Sequence, residues 1–243
     1  MGLPKLDTPT YSLVLPSTGQ EVKYRPFLVK EQKLLMMAQE SKEKTNIMET
    51  MSNIISSCTF NTINPNQVPL FDIEYIFLKI RSKSVGETQE VRVLCPDDGE
   101  TYTKVKVNLD EIEVQLTEDH SNEIHLTDKI KMIMKYPTID TVDPKLNVRS
   151  MKTQQVFDMI TGCIHSIYDG EKEHNVIDYS KDELNKFIEN LDRKAFDKLN
   201  KFFETMPQLR HEIEVENPKT KVKSKIVLRG AQDFFVLPSL TTA

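Results

Sequence analysis

A cysteine and a proline followed by a glycine form the most metal-like pattern in this chain, at Cys95-Pro96-Asp97-Asp98-Gly99. Zinc ribbons carry a similar turn between two strands, in which a second cysteine follows the first by three residues and both thiolates bind the metal. Here Asp98 stands at that second position, and a lone carboxylate is a poor substitute for a thiolate. A second predicted hairpin has its turn at residues 217–220, which contain no cysteine or histidine. The pattern therefore predicts two hairpins that are held by their turns and by packing, without a metal.

Nucleophilic catalysis would require an exposed thiol beside a histidine. The three cysteines, Cys58, Cys95 and Cys163, lie far apart, which is typical of reduced thiols in a cytosolic chain. We expect Cys58 and Cys163 within amphipathic helices, where cysteine is mostly a small core residue. His165 follows Cys163 by two residues, and residues at that spacing on a helix point in different directions. A hydrolase or transferase with a thiol nucleophile is an alternative that burial of both cysteines excludes.

Glycine-rich phosphate loops are also missing from the sequence. There are only 7 glycines, and neither a G-x-G-x-x-G nor a Walker pattern occurs. The acidic turn residues Asp97, Asp98 and Glu100 lack the alternating ligands of an EF-hand calcium loop. We therefore expect a chain that is not an enzyme, binds no cofactor or metal and has no small-molecule substrate.

Lysines alternate with other residues close to the C-terminal end. Side chains two apart share one face of a strand, so we expect a basic face that could contact phosphate. The preceding strand offers glutamates at the same period, which favours cross-strand ion pairs instead. A zinc-ribbon-like module that binds nucleic acid through this face remains the alternative function. The lysines are Lys219, Lys221, Lys223 and Lys225, and the glutamates are Glu212, Glu214 and Glu216.

Composition sets further limits on the class of protein. The chain has 243 residues and a net charge of −5, from 32 basic and 37 acidic residues that are closely mixed. This balance does not favour nucleic acid as a partner, because a broad phosphate-binding face needs clustered lysine and arginine. No run approaches the roughly 18 apolar residues of a membrane span, and the first seven residues lack the apolar stretch of a secretory signal. We expect a protein that stays in the cytosol where it is made.

Hydrophobic periodicity predicts an α+β fold. We expect an N-terminal β-hairpin and helices, a central small antiparallel sheet, a second helical group, and a C-terminal β-hairpin that resembles a zinc ribbon without metal. The predicted strands cover residues 11–15, 21–27, 87–95, 101–108, 111–116, 211–216 and 221–228, with further short strands within 124–136. The predicted helices cover residues 29–43, 46–58, 70–82, 153–166, 181–190 and 193–204.

The second half of the chain contains a predicted helix start and a predicted connection. Ser180 is a predicted N-cap, because Glu183 stands three residues later as in a capping box. The polar, acidic segment 168–179 is interpreted as an exposed connection.

We expect a division near residue 145, which gives a region 1–145 with hairpin, helices and sheet and a region 146–243 with the helical group and closing hairpin. The two regions can equally form one integrated unit.

The segment Phe234-Phe235-Val236-Leu237-Pro238 is the most unusual apolar element. It either folds back to plug the core or anchors another chain, since exposed aromatic patches mark interfaces. Phe234, Phe235 and Leu237 are therefore the candidate partner-binding residues.

Six segments of the sequence resemble the baseplate hub proteins of T-even-type contractile-tailed bacteriophages. The N-terminal part carries the most specific matches, which include Leu15-Pro16-Ser17-Thr18-Gly19 and Tyr24-Arg25-Pro26-Phe27-Leu28. The segments cover residues 3–11, 15–19, 24–36, 78–87, 134–137 and 228–235, nearly the whole span of the chain.

This resemblance implies a non-enzymatic component or assembly factor of the phage tail, without catalytic residues. Its partners would be other baseplate hub and tail proteins, bound through protein–protein contacts. Its location would be the virion tail baseplate, and the host cytoplasm during assembly. The resemblance leaves open whether the chain stays in the virion or leaves after assembly. Some members of the family carry Cys-x-x-Cys pairs in such hairpins, and this sequence departs from that pattern.

Overall fold

The computed structural model describes residues 7–40, 44–141 and 153–230, and the structural statements below refer to these residues. They form six helices and eleven strands, which pair into four small antiparallel sheets. The predicted α+β class is confirmed, with a strand pair at each end of the described chain. None of these helices has the length and apolar character needed to cross a membrane.

Spatial contacts divide the chain into two compact units. The first contains residues 1–65, 71–115 and 208–243, and the second contains residues 66–70 and 116–207. The division near residue 145 that the sequence predicts falls within residues 142–152, which lie outside the described residues, and it stays a prediction.

The first unit begins with the predicted hairpin, β1 (Tyr11–Val14) and β2 (Glu21–Tyr24). Its turn closes with the Gly19 N–H donating to the Leu15 carbonyl at 2.8 Å, and Gly19 has a positive φ of 70° that glycine adopts without strain. The Ser17 N–H and hydroxyl both donate to the buried carboxylate of Asp72. The turn is therefore fixed to the helix that carries Asp72.

Three helices follow the hairpin at the predicted places. They are α1 (Val29–Glu40), α2 (Lys44–Cys58) and α3 (Leu70–Val85). The predicted end of the first helix, residues 41–43, lies outside the described residues. The apolar face of α3 is buried, as its periodicity indicates, and includes Ile73, Ile76, Phe77 and Ile80.

Two sheets complete the first unit. One is the hairpin of β3 (Thr88–Leu94) and β4 (Tyr102–Asn108). The other has the order β11-β10-β5 and contains β5 (Glu113–Gln115), β10 (Gln208–Glu216) and β11 (Lys223–Arg229). Alternate apolar side chains from both sheets share one core with Leu78 of α3. The buried members from the strands include Val91, Val93, Val107, Leu209, Ile213, Val215 and Leu228.

The second unit packs three helices against a four-stranded sheet of order β6-β7-β8-β9. The strands are β6 (Glu123–His125), β7 (Ile130–Met134), β8 (Ile164–Asp169) and β9 (Lys172–Asn175), and the helices are α4 (Thr153–Gly162), α5 (Lys181–Glu189) and α6 (Arg193–Thr205). The core includes Met132, Ile164, Leu199 and Phe202. The predicted capping box at the start of α5 is confirmed, because the Ser180 N–H donates to the Glu183 carboxylate at 2.8 Å and the Glu183 N–H donates to the Ser180 hydroxyl at 3.3 Å.

The region from residue 163 to residue 175 differs from the prediction. The helix expected over residues 153–166 ends at Gly162, and the connection expected over residues 168–179 contains the end of β8 and all of β9. Two physical signals favour strands here. Ile164 and Ile167 are β-branched and bury against the sheet. Asp169-Gly170 is a hairpin turn signal, and Gly170 takes the positive φ of 61° that such turns need.

The buried ion pair in the first unit gives a testable pH dependence. The Glu31 carboxylate, whose side chain is 3% exposed, accepts hydrogen bonds from Arg25 Nη2 and from the Leu28 N–H, each at 2.8 Å. Burial alone would raise the pKa of Glu31, but these donors outweigh burial and hold that pKa below its usual range. The ionised carboxylate therefore stabilises the fold above the unfolded pKa of about 4.3. This contribution is lost as the pH falls through the lower folded pKa.

Glu31→Gln is expected to lower the free energy of unfolding by about 3 kcal/mol at pH 7, because the buried Arg25 guanidinium loses its negatively charged partner. The difference from the wild type should shrink as the pH falls from 7 towards 3. Urea denaturation across this pH range measures both effects. Glu21→Gln, at an exposed position, is the matched control and should change little. A difference that stays constant with pH would contradict the role given to the ionised carboxylate.

Candidate functional site

The tips of two hairpins meet in the first unit. The β3–β4 turn presents Asp97, and the β10–β11 turn presents Asn217 and Thr220. Asn217 Nδ2 lies 2.9 Å and 3.0 Å from the two carboxylate oxygens of Asp97, and the Thr220 hydroxyl also donates to this carboxylate. Asn217 is fully buried. These bonds join residues 120 and 123 positions apart in the chain.

The two turns share part of their backbone design, and the first is one residue longer than the second. In the first, the Cys95 N–H donates to Thr101 O at 2.8 Å and the Gly99 N–H donates to Cys95 O at 3.0 Å. In the second, the Asn217 N–H donates to Val222 O at 3.0 Å and the Lys221 N–H donates to Asn217 O at 2.9 Å. The fifth residue has a positive φ in both, 66° at Gly99 and 63° at Lys221. A lysine rarely adopts this conformation, so the surrounding bonds hold it there.

In each turn, one side chain accepts hydrogen bonds from two backbone N–H groups. The Asp98 carboxylate accepts from the backbone N–H groups of Glu100 at 3.1 Å and Thr101 at 3.0 Å. In the second turn, Asn217 Oδ1 accepts from the N–H of Lys219 at 2.8 Å and of Thr220 at 3.3 Å. Each turn therefore satisfies its own backbone donors with one of its own side chains.

At the paired turns, the pKa values of the two carboxylates are lowered and the pKa of the thiol is raised. Hydrogen bonds from Thr220 and then Asn217 lower the pKa of Asp97. Those from Thr101, with a contribution from Asn217, hold the pKa of Asp98 well below its usual range. Burial, together with the charges of Asp97 and Asp98, raises the pKa of the Cys95 thiol. At neutral pH the site therefore combines ionised carboxylates with a protonated thiol.

This donor set does not fit a structural zinc ion. Cys95 supplies one sulfur, and the three equivalent positions in the two turns hold Asp98, Asn217 and Thr220. Within residues 7–40, 44–141 and 153–230, no group of three or more His, Cys, Asp or Glu side chains is placed to hold a metal ion. What the arrangement can do is fix two hairpin tips to each other through a carboxylate and an amide.

The hypothesis of a thiol nucleophile is wrong for the two cysteines that it named. Cys58 and Cys163 are fully buried. Burial raises the pKa of Cys58 to about 11 and the pKa of Cys163 to about 12, so neither thiol ionises near neutral pH. Cys58 is the last residue of α2, as predicted. Cys163, expected within a helix, instead lies between α4 and β8.

The expected basic face is shorter than the sequence predicted. Lys219 and Lys221 belong to the turn, because β11 begins at Lys223. The exposed face of the strand pair does carry a cross-strand ion pair, between Lys225 and Glu212 at 2.7 Å. Glutamates lie opposite both lysines in the strand register, with Glu214 facing Lys225 and Glu216 facing Lys223. This arrangement favours ion pairing over a phosphate-binding face.

The candidate partner-binding residues Phe234, Phe235 and Leu237 lie outside the described residues. The chain that leads to them leaves β11 at Gly230, which has a positive φ of 64°. A Cβ atom at this position would lie 3.2 Å from a carboxylate oxygen of Glu74 in α3. Close packing against α3 and the positive φ both favour glycine here.

Comparison with known proteins identifies the class of this chain. The model of a protein family described as "T4 bacteriophage base plate protein" matches residues 8–236, most of the sequence. The protein is therefore a structural protein of a bacteriophage base plate, and the chain belongs to the T4 base plate protein family. Its place is the baseplate of the virion tail. No curated protein and no solved structure shows a significant match to the chain.

The sequence predicts the two hairpins but not the hydrogen bonds between Asn217 and Asp97 that join their tips. The i, i+3 spacing of Cys95 and Asp98 recurs at Asn217 and Thr220, each time with proline second, as Pro96 and Pro218. This repeated spacing is the signal that could have indicated two equivalent turns. It does not indicate that the turns contact each other, because that depends on packing between sheets.

Asn217→Ala tests the bond between the turns. The substitution removes the amide that donates to Asp97 and the acceptor of the Lys219 and Thr220 N–H groups. We expect a loss of about 2 kcal/mol in the free energy of unfolding, since the hydrogen bonds to the charged Asp97 and from two backbone N–H groups are lost. Urea denaturation of the purified chain measures the loss. Asn53→Ala, at an exposed position of α2, is the control and should not destabilise; equal effects of the two substitutions would contradict the structural role of Asn217.

Proposed function

We propose that this chain is a structural or assembly protein of the baseplate hub, which acts through protein–protein contacts and without catalysis. The observation that carries the proposal is the family match over residues 8–236. The described residues agree with a role in protein–protein contacts. Their cysteine thiols are buried, and their paired turns hold two hairpin tips together. Its partners are other hub and tail proteins of the phage, and the protein passes through the host cytoplasm during assembly.

The contact residues that we propose are Phe234, Phe235 and Leu237. Large apolar side chains near the end of a chain can reach a pocket on a partner, and a few such anchors supply most of the binding free energy at an interface. Gly230, which lies beside Glu74 of α3, precedes the segment by four residues. The opposing hypothesis is that the segment folds back and plugs the core of its own chain.

A tagged chain, expressed in host cells infected with the phage that encodes it, tests the function directly. Proteins that co-purify with the tag are identified by mass spectrometry, and finished tails are analysed in parallel. Co-purification with hub proteins and presence in tails identify a retained subunit. Co-purification without presence in tails identifies an assembly factor that leaves. If no tail protein co-purifies, the proposed hub function is wrong.

The combined variant F234A/F235A/L237A tests the contact residues. If they anchor a partner, recovery of hub proteins should fall at least tenfold, because hot-spot side chains contribute more than about 1.4 kcal/mol each. The unfolding midpoint of the purified chain should stay unchanged. Ile177→Ala, which alters a side chain that is 89% exposed, is the control and should preserve recovery. A lowered unfolding midpoint with normal recovery would show that the segment is a core plug.

A further inference from the structure

The paired turns have the framework of a four-ligand metal site. Zinc ribbons place two C-x-x-C turns at the tips of two hairpins, so that four thiolates surround one ion. Here the first and fourth residues of the turns are Cys95 and Asp98, and Asn217 and Thr220. The two turns face each other through bonds from Asn217 and Thr220 to Asp97. The two hairpin tips therefore meet as in a zinc ribbon, through the third residue of the first turn, while three of the four ligand positions carry residues other than cysteine or histidine.

The equivalence of the positions rests on bonds within each turn. The carbonyl of the first residue accepts from the N–H of the fifth in both turns. The side chain of the fourth residue accepts from the N–H two residues later, Glu100 to Asp98 at 3.1 Å and Val222 to Thr220 at 3.3 Å. The fifth residue has a φ near the same positive value in each. On these three matches, the first and fourth residues of the two turns are equivalent positions, although the first turn closes one residue later.

We propose that the Asn217 carboxamide takes the place of the metal ion in this framework and holds the two hairpins together without coordination. Its Nδ2 group has two N–H donors and no negative charge. It is fully buried between the turns and donates to the carboxylate of Asp97. The neutral amide thereby joins the second turn to a charged residue of the first. Since no ion takes part, the stability of the native chain is independent of metal.

The variant D98C/N217C/T220C tests the framework, because together with the native Cys95 it supplies four thiols. The purified full-length variant is titrated with Co²⁺ and with Zn²⁺ under reducing conditions. We expect one ion per chain, the visible absorption of Co²⁺ in a tetrahedral thiolate site, and an unfolding midpoint that rises when zinc is added. The control D98C/T220C keeps Asn217 and provides three thiols, so its Co²⁺ affinity should be at least tenfold weaker. The native chain should unfold at the same temperature with zinc, with a chelator, or with neither.

Three results would overturn the proposal. The first is a folded triple-cysteine variant that binds no metal, or that binds no more tightly than the control. The second is a variant that remains unfolded when zinc is present, since a correct framework gains folding free energy from the ion. The third is a native chain that loses stability when a chelator is added. The test requires no baseplate partner, so its outcome is independent of the proposed hub function.

Discussion

Small sheets are not stable by themselves, and this constraint determines how the sheets of the first unit pack. A two-stranded hairpin is marginally stable in water, and it needs an apolar partner on its buried face. The β3–β4 hairpin finds that partner in β10 and β11, with Val91 and Val107 packed in the same core as Leu209 and Val215. Apolar contacts of this kind are not directional. The hydrogen bonds between Asp97 and Asn217 add direction, because they fix which end of one hairpin lies beside which end of the other.

Similar polar contacts join distant elements of this unit at two further places. Arg25 follows β2 and reaches Glu31 in α1 and Ser57 in α2. Ser17 in the first turn reaches Asp72 in α3. Each contact buries a carboxylate or a guanidinium that requires its partner, so a misplaced element would leave a buried charge unpaired. A protein that works by presenting a defined surface to neighbours benefits from such a restriction on alternative packings.

Much of the architecture could be predicted from the sequence, because it depends on local patterns. Period-two alternation located β3, β4 and β10, helical spacing located α2 and α3, and the Ser180–Glu183 pair located the start of α5. The β8–β9 hairpin was missed because its charged residues outweighed the Asp169-Gly170 turn signal. The bond between Asp97 and Asn217 had no local signal at all. It depends on how two sheets pack, and spacing along the chain does not encode that packing.

The chain order of the two units affects how the protein folds during synthesis. The second unit takes residues 66–70 and 116–207, so nearly all of it lies between two parts of the first. A ribosome therefore delivers a complete second unit while the first still lacks β10 and β11. Domains generally fold as units while the chain is being made, so the interrupted unit must wait for its last strands. Until they emerge, the apolar face of the β3–β4 hairpin lacks the side chains of Leu209, Val215 and Leu228 that complete its core.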